Sequence, residues 1–294
     1  MGRVTTHHRI VRLEGGTTTS RQDTVVVEEP LEIRVAGRPL AVTMRTPGDD
    51  IDLVHGFLLT EGVVEQVGDI RTARYCAGDV GAGNTYNVIE VELAEGVAAP
   101  DPSLERSFYT TSSCGVCGKA SIDAIRVRAR HDVSGDEVMI SPAVLAGLPG
   151  SLRGAQRVFD RTGGLHAAGL FTADGDLVAL REDVGRHNAV DKVVGHLLRT
   201  GGVPGRGLVL LVSGRASFEL VQKALLAGIS TLAAVSAPTS LAVDLAAETG
   251  MTLVGFLRGD TMNVYAGAHR VTSRVFVAGA GPGIENAIPG IRRV

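Results

Sequence analysis

Two of the three cysteines in this 294-residue chain, Cys114 and Cys117, stand with two residues between them in the run TTSSCGVCGK (110–119). A thiol pair at that spacing can bind metal, cycle between dithiol and disulfide, or carry a sulfur atom. Gly115 and Gly118 make the loop flexible, and Lys119 favours thiolate over a thiol of pKa about 8.5. A tetrahedral zinc site needs four ligands, and with no second CxxC or CxxH, Cys76 and a lone histidine would have to complete it. A thioredoxin-type pair opens a helix just after a strand near the N-terminus. Here the pair follows Thr-Thr-Ser-Ser in mid-chain, which weakens that reading.

Four other stretches carry reactive or ligand-binding types. In REDVGRHNAVDK (181–192), Glu182, Asp183, Arg186 and His187 crowd a strand-to-helix turn, where α/β proteins place ligands. The competing reading is a solvated turn capped by Asn188. Ser213, Arg215 and Ser217 lie between an apolar strand and a helix start, so exposed amides and Arg215 suit an anion such as phosphate. That run lacks the GKT-type ending of a P-loop, and a plain cap by Ser217 explains it about as well. Phe256, Leu257, Arg258, Gly259, Asp260 and Thr261 end the last clear strand, combining an arginine for phosphate or a base edge, a carboxylate acceptor and a permissive glycine. A polar turn is the simpler account. His166 is more often a satisfied core histidine than a ligand, and GAGPG (279–283) has too little chain after it for a dinucleotide fold.

The elements that must hold these residues follow from composition and pattern. Hydrophobic residues make up 44% and charged residues 21%, so a real core is expected; with aromatics at 4% and 38 glycines it must be built from Val, Leu, Ala and Ile. A net charge of −3 argues against a nucleic-acid binder, and three cysteines are no disulfide scaffold but fit a reducing, cytoplasmic setting. No stretch reads as a signal peptide or membrane span.

Residues 1–23 read as a mobile tail. Residues 24–135 read as an α+β domain ending in the CxxC loop, with a hairpin at 31–44 across Gly37 and Pro39, a helix from Asp49 or Asp50 to Gly62, and strands at 71–76 and 86–93. Residues 136–294 read as an α/β domain. It opens with a helix started by Ser141-Pro142 and interrupted near Pro149-Gly150, then a hairpin across Asp174-Gly175. Helices and apolar strands alternate through 188–257, giving a sheet that is parallel in this part and covered on both faces.

Taken together, SSCGVCG (112–118), GGLHAAGLF (163–171), EDVGRHNAVDK (182–192), SGRASFELVQKA (213–224) and TLVGFLRGDTMNVY (252–265) resemble the FdhD family of formate dehydrogenase accessory sulfurtransferases. The resemblance spans about residues 25–265. It implies a sulfur carrier that receives sulfur from a cysteine desulfurase and passes it to a molybdenum bis(molybdopterin guanine dinucleotide) cofactor, a bound substrate, before that cofactor enters formate dehydrogenase. By motif match Cys114 bears the persulfide, Cys117 is its partner, and Phe256–Thr261 contact the cofactor, with no resident metal. The resemblance further implies a homodimer and a mixed-sheet, three-layer larger domain like cytidine deaminase. Two alternatives stay open: a zinc hydrolase using Cys114, Cys117 and His166, and a chaperone that holds the cofactor without moving sulfur. Against the first, His166 is followed by Ala-Ala rather than x-Glu, and the CxxC precedes the histidine and lacks a proline.

Overall fold

The structure, a computed structural model, describes residues 3–76, 86–100 and 129–272. Cys114, Cys117, the turn at 78–84, the segment 122–127 and GAGPG (279–283) lie outside the described residues.

Where a tail is expected, the chain pairs as an antiparallel ribbon of β1 (Thr5–Glu14) and β2 (Thr17–Val26). Gly15 and Gly16 turn it at φ 56° and 81°, a conformation cheap only for glycine. The signal is β-branched content at Thr5, Thr6, Ile10, Val11 and Thr17–Thr19 rather than apolar alternation, because neither face is buried in a core. Its base rests on the body, where Arg161 donates to Thr5 Oγ1 at 3.3 Å.

The first packed unit is a four-stranded sheet ordered β4-β3-β6-β5, from β3 (Glu29–Val35), β4 (Arg38–Arg45), β5 (Ile70–Tyr75) and β6 (Val88–Leu93). The expected β3–β4 hairpin forms, and β3 runs parallel to β6. Leu31, Ile33 and Val35 alternate inward and meet Leu53, Val54 and Leu58 of α1 (Asp50–Thr60). Asp49 precedes that helix at φ 52° but makes no side-chain cap.

Helix α2 (Pro142–Ala155) starts as expected, with Ser141 Oγ accepting from Val144 N at 3.1 Å. It does not break at Pro149. The stripe Leu145, Leu148 and Leu152 is buried on the sheet and holds the helix across the lost backbone bond. After the short α3 (Arg157–Thr162) come β7 (His166–Thr172), β8 (Leu177–Asp183), α4 (Arg186–Arg199), β9 (Leu208–Val212), α5 (Phe218–Leu226), β10 (Thr231–Ala234), α6 (Ser240–Glu248), β11 (Thr252–Arg258) and β12 (Thr261–Ala266). The six strands are ordered β12-β11-β10-β9-β7-β8. Strands β9, β10 and β11 are parallel, as the alternating pattern predicts, while β7, β8 and β12 are antiparallel to their neighbours and make the sheet mixed. Strand β12 is not foreseen, because TMNVYA carries too little apolar alternation.

Both faces of this sheet are covered. Val209 and Leu211 of β9 join α2 on one side; Leu210 and Val212 join the core shared with α4, α5, α6 and the first sheet. The units meet where α1 crosses α4 at two glycines. A Cβ on Gly56 would overlap the Asp191 carbonyl oxygen, and one on Gly195 the Asp52 carbonyl oxygen, so only glycine allows this backbone approach.

Candidate functional site

The ends of β9, β10 and β11 bring separate segments of sequence to one edge, the carboxyl edge of the parallel strands. Residues 213–217 follow β9, 235–239 follow β10, and 256–260 are the end of β11 and the turn after it. Backbone bonds tie them in sequence across the sheet: Ser236 N to Gly214 O at 3.3 Å, Ala216 N to Ala237 O at 3.2 Å, and Phe256 N to Ser236 O at 3.1 Å. Arg258 Nε reaches Val235 O at 3.4 Å. Ser213–Ser217 and Phe256–Thr261, far apart in the chain, thus flank a middle loop that the sequence reading did not single out. Carboxyl edges of this kind are where open α/β sheets take ligands.

Within 256–261 the side chains divide. Leu257 is fully buried and belongs to the core, whereas Phe256, Arg258, Asp260 and Thr261 are exposed. The segment is a hairpin turn into β12 rather than a loop beyond a last strand: Gly259 turns it at φ 55°, and Thr261 Oγ1 donates back to Arg258 O at 2.9 Å. Phe256 has φ 52°, a genuine outlier for a bulky side chain, at an irregularity in the β11–β12 register. In the other segment, Ser213 is strapped to β7 through Ala167 N to Ser213 Oγ at 2.9 Å, and Arg215 is exposed. Ser217 stands at the α5 N-cap without a side-chain cap, so capping does not account for its hydroxyl.

The charged run 181–192 also divides. Glu182 caps α3, accepting from Val158 N at 3.0 Å and Phe159 N at 2.8 Å. Asp183 is fully buried: it takes Lys192 Nζ at 2.7 Å and accepts from Thr46 N, Gly185 N and Asn188 Nδ2. Asn188 donates to Met44 O at 2.7 Å, which fixes α4 to β4. These residues are structural. Arg186 and His187 differ, for they stand half-exposed at the start of α4 on the same edge as the loops.

His187 Nε2 lies 2.7 Å from Glu219 Oε2 and 3.5 Å from Ser217 Oγ. Both partners share one ring nitrogen, so this is no serine–histidine–acid relay, which needs one partner on each nitrogen. Hydrogen bonding to His187 holds the Glu219 carboxyl below its ordinary range despite partial burial. His166 opens β7 beside Gly214. Burial, then Arg186 and His187, lower its pKa, with Asp183 opposing. Sequence reasoning missed Glu219, whose place two residues beyond Ser217 carries no signal without knowledge that His187 sits opposite.

The sequence of 26–272 matches the model of the FdhD/NarQ family. This chain belongs to that family. Its FdhD/NarQ relatives include proteins named sulfur carrier protein FdhD from Streptomyces avermitilis, 61% identical over 95% of this chain and 99% of the relative. The relative from Streptomyces coelicolor is 62% identical over 94% and 99%, and that from Mycobacterium tuberculosis 56% identical over 92% and 100%. The fold is similar to a crystal structure from Desulfotalea psychrophila, of a protein assigned as a formate dehydrogenase accessory protein. That match has a TM-score of 0.73 at 23% identity and covers 92% of this chain and all of the other. The FdhD/NarQ fold is thus the mixed-sheet α and β architecture described above. Among the described residues no helix is long and apolar enough to cross a membrane.

Proposed function

We propose that this chain is a sulfur carrier required for formate dehydrogenase activity. It accepts sulfur from a cysteine desulfurase as a persulfide on Cys114 and passes it to a molybdenum bis(molybdopterin guanine dinucleotide) cofactor, which is its bound substrate. The naming of relatives more than 60% identical along nearly the whole chain supports the carrier role. The observation that carries the binding half is the meeting of Ser213–Ser217 with Phe256–Thr261 across 235–239 on one sheet edge.

In chemical terms, the Cys114 thiolate attacks the outer sulfur of the donor persulfide, and the donor thiolate leaves. Cys117 can then attack the inner sulfur of the Cys114 persulfide, closing a disulfide and releasing the outer sulfur as hydrosulfide. At the edge, Ser213, Arg215 and Ser217 would meet phosphate, while Phe256, Arg258, Asp260 and Thr261 would meet the nucleotide. Leu257 and Gly259 shape that turn from behind.

Cytoplasmic location, a homodimer and a docked formate dehydrogenase subunit belong to the same proposal, as does a cytidine-deaminase-like layering of the larger domain. The alternative zinc site would place a cation on His166 close to the guanidinium of Arg186, which counts against it.

Incubation of the full chain with a cysteine desulfurase and cysteine is expected to give a persulfide on Cys114, read by mass spectrometry of the intact protein and its peptides. Absence of that adduct, with Cys114→Ala still supporting formate dehydrogenase activity, would favour a cofactor-holding chaperone instead.

A further inference from the structure

We propose that the β1–β2 ribbon is a docking arm for the protein that receives the cofactor, and that one of its two faces grips an acidic surface of that protein. This rests on the reading above, in which the cofactor lies along the carboxyl edge and passes to formate dehydrogenase. The arm uses neither of the segments assigned to the cofactor.

The two faces of the ribbon are unlike. Side chains alternate across a strand, and directly paired residues share a face. One face carries His8, Arg12 and Glu14 against Asp23 and Arg21, and its charges cancel in the ion pairs Arg12–Glu14 at 3.0 Å and Arg21–Asp23 at 3.9 Å. The other carries Thr5, His7, Arg9, Val11 and Leu13 against uncharged residues of β2, with no carboxylate. Arg9 Nε donates to Ser20 Oγ at 2.9 Å, which lays the guanidinium along this face. At the foot of the ribbon a cleft is lined by Arg3, Val4, Thr5, Thr6, His7 and Arg161, again without an acid. Among the described residues Arg3, Arg9 and Arg161 have no carboxylate partner. A balanced face needs only water. Uncompensated cations below an exposed Val11 and Leu13 complement a surface that sets carboxylates beside apolar side chains.

The edges of the ribbon are also open. Its ten pairs run without a bulge, and neither strand contains proline or lysine, the usual devices that keep an exposed edge from pairing. Either edge can therefore accept a strand from another protein.

Position selects the partner. Val26 Cγ1, at the end of β2, lies 3.3 Å from where a Cβ on Gly164 would stand. Two residues later His166 opens β7, which runs beside the end of β9 through the pair Ala168–Val212. The foot of the arm thus adjoins the carboxyl edge, where the acceptor of the cofactor must come. A nucleic acid or anionic membrane suits the chain less well, because the whole molecule carries −3.

Binding of the full chain to the cofactor-free formate dehydrogenase catalytic subunit, followed by interferometry, tests this. Wild type is expected to bind, more weakly as salt rises. Arg9→Glu and Leu13→Asp should each weaken binding at least about tenfold. Arg12→Glu changes net charge as Arg9→Glu does, but on the opposite face, and should have little effect. All three positions are at the surface, and amide exchange checks that the ribbon stays paired. The arm is overturned if wild type does not bind, or if Arg9→Glu and Arg12→Glu weaken binding equally. It is overturned too if Arg9→Glu spares this binding and instead lowers persulfide formation with a cysteine desulfurase, or shifts sedimentation from dimer to monomer. Face-specific binding without any persulfide on wild-type Cys114 would keep the arm and remove the carrier reading. A persulfide on Cys114 with no binding would do the reverse.

Discussion

Phe256 sits in left-handed backbone at φ 52° and is 40% exposed, a strained backbone carrying a side chain that adds little to the core. Such a conformation costs about 1–3 kcal/mol and persists where the surroundings over-determine it, commonly at ligand sites. Phe256→Gly should therefore raise the unfolding temperature while lowering affinity for a guanine nucleotide, two changes of opposite sign read by calorimetry. If the ring had only a packing role, its removal would lower the unfolding temperature and leave that affinity unchanged.

Histidines set a second expectation at this scale. Burial lowers the pKa of His55, and His131 and His166 are lowered in the same way, from an ordinary value of 6.5. Each takes up a proton at higher pH unfolded than folded. The unfolded chain then holds more protons as pH falls through 6.5, so stability falls with it. Glu219, lowered by its bond to His187, adds stability above 4.5 that is lost at more acid pH, whereas burial raises Glu61 and opposes that loss. The urea midpoint should drop between roughly pH 7.5 and 5.5, and His55→Gln should flatten the slope. No pattern in the sequence marks these histidines as buried. His166 was read as a core histidine but is only partly buried, and its neighbours Arg186 and His187 arrive through β-pairing and a helix start.

At the scale of elements, the crossing of α1 and α4 depends on atoms that are not there. A methyl on Gly195 would meet the Asp52 carbonyl, and a backbone neighbour cannot swing aside as a side chain can. Gly195→Ala should cost at least about 1–3 kcal/mol, the usual range for overpacking, and more if the helices separate; chemical denaturation measures it. By contrast Gly201→Ala, with open space around its Cβ position but φ 74°, tests strain alone and should cost less. Helices such as α1, α4 and α5 were legible because one face is buried, and strands β9 to β11 because burial on both faces makes them continuous apolar runs. The ribbon and β12 were not, since their pairing partners rather than their apolar content define them. Pro149 misled for the same reason: the stripe across it, not local propensity, decides the helix.

For the molecule as a whole, the two sheets are joined by buried charge. Lys192 Nζ bridges Asp183 at 2.7 Å and the Thr46 carbonyl at 2.8 Å, linking α4, β8 and the segment after β4. Lys192→Met leaves the buried Asp183 carboxylate without its counter-charge, although Thr46 N, Gly185 N and Asn188 Nδ2 still donate to it, and should cost about 3–5 kcal/mol. Lys192→Met with Asp183→Asn should cost less than the two single changes summed, as a double-mutant cycle would show. The sequence displayed these charges as a dense run, which looked as much like a ligand site as a clasp. Only the fold separates Asp183 and Lys192, facing in, from Arg186 and His187 at the edge. The β1–β2 ribbon stands apart from this clasp. Among the described residues it has no third strand and no core of its own, and Val11 and Leu13 near its tip are 66% and 76% exposed. Two-stranded ribbons are marginal in water, so its pairing should open like a zipper from the Gly15-Gly16 end towards Arg161. Amide protons along one strand would then exchange with solvent in order of position, fastest at Leu13 and slowest beside Thr5, while the sheets behind it stay closed.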